Sequence, residues 1–353
     1  MASLTQTAIL TRKIVRYGIY LIIFLIVGRV VLGLLIGVAQ NLFPAPPPSP
    51  TIAFGKLPSL PFPTNKDIPS LTYTIQTPDG QMPSVATKDW LSQAKVYYMP
   101  SERPDLLDLD NTKSLASNMG FSSNQNEITP TIYQFTNPSN PSSIQINIVN
   151  QTFSIGYNLN SDSSPLSARP PAAGDAAGTA KNFLNSSIGL PDDLSGPVTQ
   201  EYLKVQNKQL VSALSLSDAN LTKINLFRKD YDDLPAVTQQ PGTANVWFII
   251  SGDTDQGKQI IGAQYYYYPV DTTQFSTYPL ITSDQALKNL QSGQGFVANL
   301  GQNQNGKITI RRIYLAYFDP QSPTQFYQPV AVFEGDNGFV AYVPAVTSTY
   351  YGQ

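Results

Sequence analysis

The chain contains neither cysteine nor histidine. The missing cysteines exclude disulfide scaffolding, thiol nucleophiles and thioether-linked haem. With the missing histidines, ordinary zinc sites and histidine-based triads are excluded too. Charge is scarce: 13% of residues are charged and the formal net charge is −2. That balance provides no basic face for nucleic acid. Glutamate occurs only at Glu102, Glu127, Glu201 and Glu334, and aspartates cluster at Asp105/Asp108/Asp110, Asp230/Asp232/Asp233 and Asp253/Asp255; these are the carboxylates from which a glycoside-hydrolase pair would have to be drawn. The expectation is a chain with no catalytic residue, no metal ligand and no cofactor.

The most informative feature present is an apolar run from Tyr17 to Ala39, interrupted by a single charge, Arg29. About 20 apolar residues cross a bilayer as a helix. Arg12, Lys13 and Arg16 precede the run, and the next charge after it is Lys56. The positive-inside bias then assigns 1–13 to the cytoplasm, 14–40 to a transmembrane helix and the remainder to the outside. The expected address is the cell membrane, crossed once, with the lipid bilayer as first partner. A cleaved signal peptide is the alternative, with Gly37-Val38-Ala39 as the small-residue site, but its apolar region is typically about 7–15 residues. The lack of disulfides outside the membrane suits a bacterial surface. Arg29, Gly33 and Gly37 recur every fourth residue and share a helical face. The Gly-x-x-x-Gly pattern permits close approach of a second helix, from another membrane protein or another copy of this chain.

Residues 41–69 are rich in proline, with Pro44, Pro46, Pro47, Pro48, Pro50, Pro58, Pro61, Pro63 and Pro69. The composition predicts a tether of extended polyproline II, reaching about 80 Å at about 3.1 Å per residue. The apolar residues between the prolines, Ile52, Phe54 and Leu57 through Phe62, offer the alternative of docking on the domain.

Beyond Ser70 a helix, a glycine and a set of strands occur in sequence three times. The first unit, 70–165, has Leu115, Ala116 and Met119 on one helix face, Gly120 as a left-handed cap, and Ile144, Ile146 and Ile148 alternating with polar residues. The second, 166–277, has Ala177, Ala180, Leu184 and Ile188 before Gly189. The third, 278–353, opens on the capping-box pattern Thr282-Ser283-Asp284-Gln285, buries Ala286, Leu287 and Leu290, and ends its helix at Gly293. Glu334 through Gly338 then make a turn between two strands. The predicted fold class is α+β: an N-terminal transmembrane helix, a tether, and antiparallel sheets each packed with a short helix.

Tyr278-Pro279-Leu280-Ile281-Thr282, leading into Asp284-Gln285-Ala286-Leu287, and the arm Gln328 through Gly335 resemble PepSY-type modules. With the N-terminal anchor, the architecture also resembles YycH/YycI-type bacterial membrane regulators. The resemblance is best over 278–346. It implies regulation or protein binding at the outer membrane face and carries no catalytic residue.

Sequence motifs for chemistry are incomplete. Ser92-Gln93-Ala94-Lys95 matches the Ser-x-x-Lys of penicillin-binding enzymes, but no Lys-Thr-Gly accompanies it. Met82-Pro83-Ser84 does not reproduce the Ser-Met order of a signal-peptidase-type dyad. Asp253-Thr254-Asp255-Gln256-Gly257 places glycine one position early for a calcium loop and reads as a hairpin turn. Asp108 and Asp110 are positioned to cap the following helix. Tyr265, Tyr266, Tyr267 and Tyr268 form the candidate binding surface, since tyrosines present rigid amphipathic area to a sugar or a peptide. In a strand, alternate members of the run would share a face. Together these features predict a non-enzymatic binding or regulatory protein of the bacterial envelope, with an envelope protein or glycan as partner. The alternatives are a carboxylate-based wall glycoside hydrolase and a structural stalked subunit of a surface assembly.

Overall fold

The apolar run folds as a single helix, α1 (Leu4–Leu42). The computed structural model describes residues 4–42, 48–64, 68–78, 80–84 and 90–352, which form two units, Met1–Ser49 and Pro50–Gln353. Within α1, Thr11–Ile36 has a mean hydropathy of 2.8 over 26 residues and none of it is buried. A helix apolar on every side has no polar face for water, and this one is long and apolar enough to span a membrane.

The second unit is α+β and rests on three sheets. The largest has nine strands in the order Gln125–Thr129, Ile132–Thr136, Ser142–Asn147, Phe153–Tyr157, Ile260–Tyr265, Val246–Ser251, Leu221–Leu226, Val198–Gln206, Gln209–Ser212. An antiparallel meander of four strands and an antiparallel block of five meet where Phe153–Tyr157 pairs with Ile260–Tyr265, with Gly156 opposite Gly262. This seam joins segments on either side of the expected boundary at 165/166. Each half alone would leave an open inner edge, and pairing the two edges satisfies both.

Helices α2 (Asp108–Asn118) and α3 (Ala173–Ser187) cover one face of this sheet. Ala116, Ala176, Ala180 and Leu184 pack there with Phe135, Ile144, Phe153, Ile224 and Phe248. The two-residue period is visible in Val246–Ser251, where Val246, Phe248 and Ile250 join this core and Trp247 and Ile249 lie on the opposite face. Gly120 and Gly189 are left-handed at the helix ends, as the sequence predicts. Asp108 and Asp110 do not cap α2; they lie inside its first turn, and the Asp108 carboxylate accepts from the Asp105 N–H at 2.7 Å.

The second sheet runs Thr72–Ile75, Lys307–Asp319, Pro329–Gly335, Val340–Pro344, Phe296–Asn299, with Ala236–Thr238 added in parallel at the far end of Lys307–Asp319. Helix α4 (Ser283–Gln291) lays Ala286 and Leu290 against Phe333, Ala341 and Val343. Thr282 caps it, accepting from the Gln285 N–H at 3.2 Å. The Gln285 side chain bonds Asn289 at 2.8 Å instead of reaching back, so half of the capping box forms. The expected hairpin is present: Val330 through Glu334 pair with Pro344 through Val340 around Asp336–Gly338. A third, small sheet sets Gln93–Tyr98 between Asp271–Pro279 and Phe326–Tyr327. It too draws strands from across the expected boundary at 277/278.

The expectation of a free tether over 41–69 does not hold for residues 51–62. They lie on the domain as a strap. Ile52 donates to the Thr277 carbonyl at 3.1 Å, and Leu57 exchanges bonds with Tyr350 and Gly352 at 2.8 and 3.0 Å. Leu57 is fully buried. Phe62 stacks on Phe296 at 5.3 Å and meets Phe318 edge-on at 4.9 Å. Leu60 and Phe62 thus cover the face of the second sheet that α4 leaves open, while Ile52, Phe54 and Leu57 join the core that α4 also closes; burying them stabilises the strap more than an extended chain in water. Residues 43–47 and 65–67 of the expected tether lie outside the described residues.

Leu290 is 3% exposed. Truncation of Leu290→Ala is expected to destabilise the domain by about 2–5 kcal/mol. A thermal melt checks this, and an unchanged midpoint would remove α4 from the core.

Candidate functional site

The tyrosine run begins on a strand and leaves it. Ile260–Tyr265 ends at the first tyrosine, which stacks on Phe153 at 5.1 Å within the core. Tyr266 still donates to the Asn245 carbonyl at 3.1 Å, and then the chain departs toward Pro269. Proline cannot extend a ladder, and it constrains the residue before it. The expected alternation therefore stops: Tyr265 and Tyr268 are buried, while Tyr266 and Tyr267 are half-buried.

Two depressions flank the run. Tyr266 and Tyr268 border a groove of about 250 Å³, with Gln145, Asn147, Thr152 and Ser154 along its floor. Tyr267 and Tyr268 border a smaller one of about 90 Å³, lined also by Pro100, Pro269, Pro323 and Glu102. Burial raises the Tyr268 hydroxyl to about 12, so this wall stays neutral.

Beneath the run lies a group the sequence reading did not find. Arg228 follows the strand Leu221–Leu226 and is 2% exposed. Its Nε donates to Asp319 Oδ1 at 2.7 Å, its Nη1 to Asp193 Oδ2, and its Nη2 to the Tyr268 carbonyl. Tyr231 donates to the same Asp193 oxygen at 2.8 Å. The guanidinium lies 4.4 Å from the ring centroid of Tyr267 and 5.9 Å from that of Tyr327, within reach of a cation–π attraction. Burial opposes its charge, but Asp319 and Asp193 outweigh that and hold Arg228 well above its ordinary value. Burial also raises Asp319, with Arg228 pulling the other way. The partners lie 35 and 91 residues from Arg228 in sequence. Arg228-Lys229-Asp230 reads as an ordinary charged strand end, so no local pattern marks the network.

The backbone is shaped to admit this arginine. Gly196 passes so close that a Cβ there would meet the Arg228 carbonyl oxygen at 2.0 Å, a contact only glycine avoids.

The remaining expected residues are dispersed. Arg29 and Gly33 are on α1, with open space where a Gly33 Cβ would stand; Gly37 belongs to the same helix, but its surroundings lie outside the described residues. Lys95 bonds Asp232 at 2.6 Å and sits 4.8 Å from the Phe275 ring centroid, so it is committed away from Ser92. Asp255 accepts from the Gly257 N–H at 3.0 Å in the turn between two strands, as expected for a hairpin. Glu334 accepts from Tyr314 at 2.7 Å. Among the described residues no group of three His, Cys, Asp or Glu is placed to hold a metal.

No family model and no curated protein matches the chain. Among solved structures, an uncharacterized protein from Eubacterium rectale ATCC 33656 is similar over 73% of this chain and 79% of its own, at 15% identity and a TM-score of 0.38. The Bacillus megaterium YpeB C-terminal domain is similar over 70% of this chain and 95% of its own, at 11% identity and a TM-score of 0.32. At such distances, function has to be read from the residues of this chain.

Arg228→Met would leave two buried carboxylates without their cation. Removing one partner of a buried pair costs about 3–5 kcal/mol. The pH dependence has a definite sign. A carboxyl whose folded pKa is raised loses stability as pH climbs from its ordinary value to its folded value. Asp319 is raised already, and losing Arg228 raises it further. The destabilisation is therefore expected to be larger at pH 8 than at pH 5. Urea melts of both proteins at the two pH values check this; an equal loss at both would contradict the ionic account.

Proposed function

We propose that the chain is a membrane-anchored, non-enzymatic binding or regulatory protein of the bacterial cell envelope, with its α+β domain outside the cell. The observation that carries this reading is the half-buried pair Tyr266 and Tyr267, held between two surface grooves over a rigid ionic base. Rigid amphipathic side chains on an immobile support suit recognition, because little freedom is lost on binding. The apolar helix with its basic flank supports the anchor and the orientation. The PepSY-type resemblance over 278–346 points to regulation or protein binding as well.

The groove linings support a binder over a hydrolase. A glycoside hydrolase brings two carboxyl groups to one cleft, roughly 5–9.5 Å apart. Among the described residues, the groove at Tyr266 has no carboxylate in its lining, and the groove at Tyr267 has one, Glu102.

In intact spheroplasts, added protease should digest the 50–353 domain and spare the segment before Arg12. Protection of the domain would reverse the orientation. Peptidoglycan incubated with the full chain should remain uncleaved, and turnover lost in Glu102→Gln would overturn the non-enzymatic reading.

A further inference from the structure

The groove beside Tyr266 lies on the face of the nine-stranded sheet opposite α2 and α3. Its floor is built by register. Gln134 pairs with Gln145, Gln145 with Ser154, and Ser154 with Gln264, across four consecutive strands. Directly paired residues share a face. The chain neighbours Phe135, Ile144, Ile146, Phe153, Ile155, Ala263 and Tyr265 all belong to the core under the helices, so this row points the other way. Along the strands toward Tyr266, the same face adds Asn147 and Thr152 to the groove.

Three properties of this surface select a ligand. First, among the described residues no formally charged side chain lines the groove, so a polyanion or a charged peptide would gain no ion pair and would lose hydration. Second, the row presents amides and hydroxyls, each able to donate and accept. Within the described residues, the side chains of Gln145, Ser154 and Gln321 and the Tyr266 hydroxyl form no hydrogen bond to the protein, so their capacity is available to a ligand. Third, the half-buried Tyr266 ring stands at the end of the row and gives an apolar wall beside these polar groups. Elsewhere the same face is different: Lys223 lies 5.2 Å from the Trp247 ring centroid, and Leu159 and Leu166 pack over Leu221 and Ile249.

We propose that this amide-and-hydroxyl platform, closed at one end by Tyr266, binds a neutral, hydroxyl-rich glycan strand. Such a ligand offers many uncharged hydrogen-bonding groups and a ring face that an aromatic wall can cover. The proposal rests on the binding-protein reading above and names the ligand class of that surface.

The test uses the full chain in detergent micelles, titrated with a soluble β-1,4-linked N-acetylglucosamine hexamer. Calorimetry gives the affinity. Trp247 pairs with Gln264 at the border of the platform, while Trp90 is buried in another core, so tryptophan fluorescence gives a local readout. Saturable binding is expected, weakened at least tenfold in each of the platform variants Gln145→Ala and Tyr266→Ala and unchanged in the control Gln302→Ala. Thermal melts establish that each variant is folded. No saturable binding by the folded chain, or binding that both platform variants leave intact, would overturn the proposal. A heparin-type polyanion or an uncharged peptide that binds with the same dependence on Gln145 and Tyr266, where the hexamer does not, would overturn the neutral glycan as ligand and leave the binding-protein reading standing. Shortened oligosaccharides in the titrated sample would do the reverse, overturning the non-enzymatic reading while retaining the glycan.

Discussion

The buried Arg228 guanidinium is the constraint on which the rest of the domain depends. It leaves the nine-stranded sheet just after Leu221–Leu226 and meets Asp319, the last residue of the longest strand in the second sheet. Asp193, beyond α3, and the Tyr268 carbonyl take its other donors. Asn245 reinforces the junction, donating to the Asp319 carbonyl at 2.9 Å. Buried ion pairs contribute little net stability, because desolvation offsets their attraction. Their effect here is geometric: the planar fork of arginine accepts few arrangements of its partners, so the two sheets meet in one register. The same guanidinium bonds the Tyr268 carbonyl and lies against the Tyr267 ring, at the ridge between the grooves.

A second constraint is the distribution of apolar surface. The nine-stranded sheet uses its helices for one face and leaves much of the other polar. The second sheet needs cover on both faces. Helix α4 closes one together with Ile52, Phe54 and Leu57 of the strap, and Leu60 and Phe62 at the end of the strap pack on the other. Proline serves both states of this segment, since its fixed φ suits extended chain packed on a surface as well as extended chain in water.

The sequence made the periodic elements legible and left the long-range pairings hidden. Leu115 and Ala116 in α2, Ala180 and Leu184 in α3, and Leu290 in α4 repeat at helical spacing and end on glycine, and each is buried. The hairpin around Asp336–Gly338 is marked by its turn residues. The seam at Gly156 and Gly262 has no local signature, because the two strands lie far apart in the chain and an inner strand reads alike whichever neighbour it pairs with. Thr72–Ile75 is too short to show a period, and its parallel partner is distant. At the site, the aromatic run announced Tyr265 through Tyr268, but their burial depends on Pro269 and on Arg228. The polar row Gln134, Gln145, Ser154 and Gln264 appears only when the register of four strands is known.

The most direct test of the central claim is native-state hydrogen exchange on the strands that Arg228 connects. In the unmutated chain, amides of Leu221–Leu226 and of Lys307–Asp319 should open with one common free energy, as parts of a single cooperative unit. In Arg228→Met the two sets should separate, each with its own opening free energy. Two distinct values already in the unmutated chain, or one shared value in the variant, would contradict the account that this guanidinium holds the sheets together.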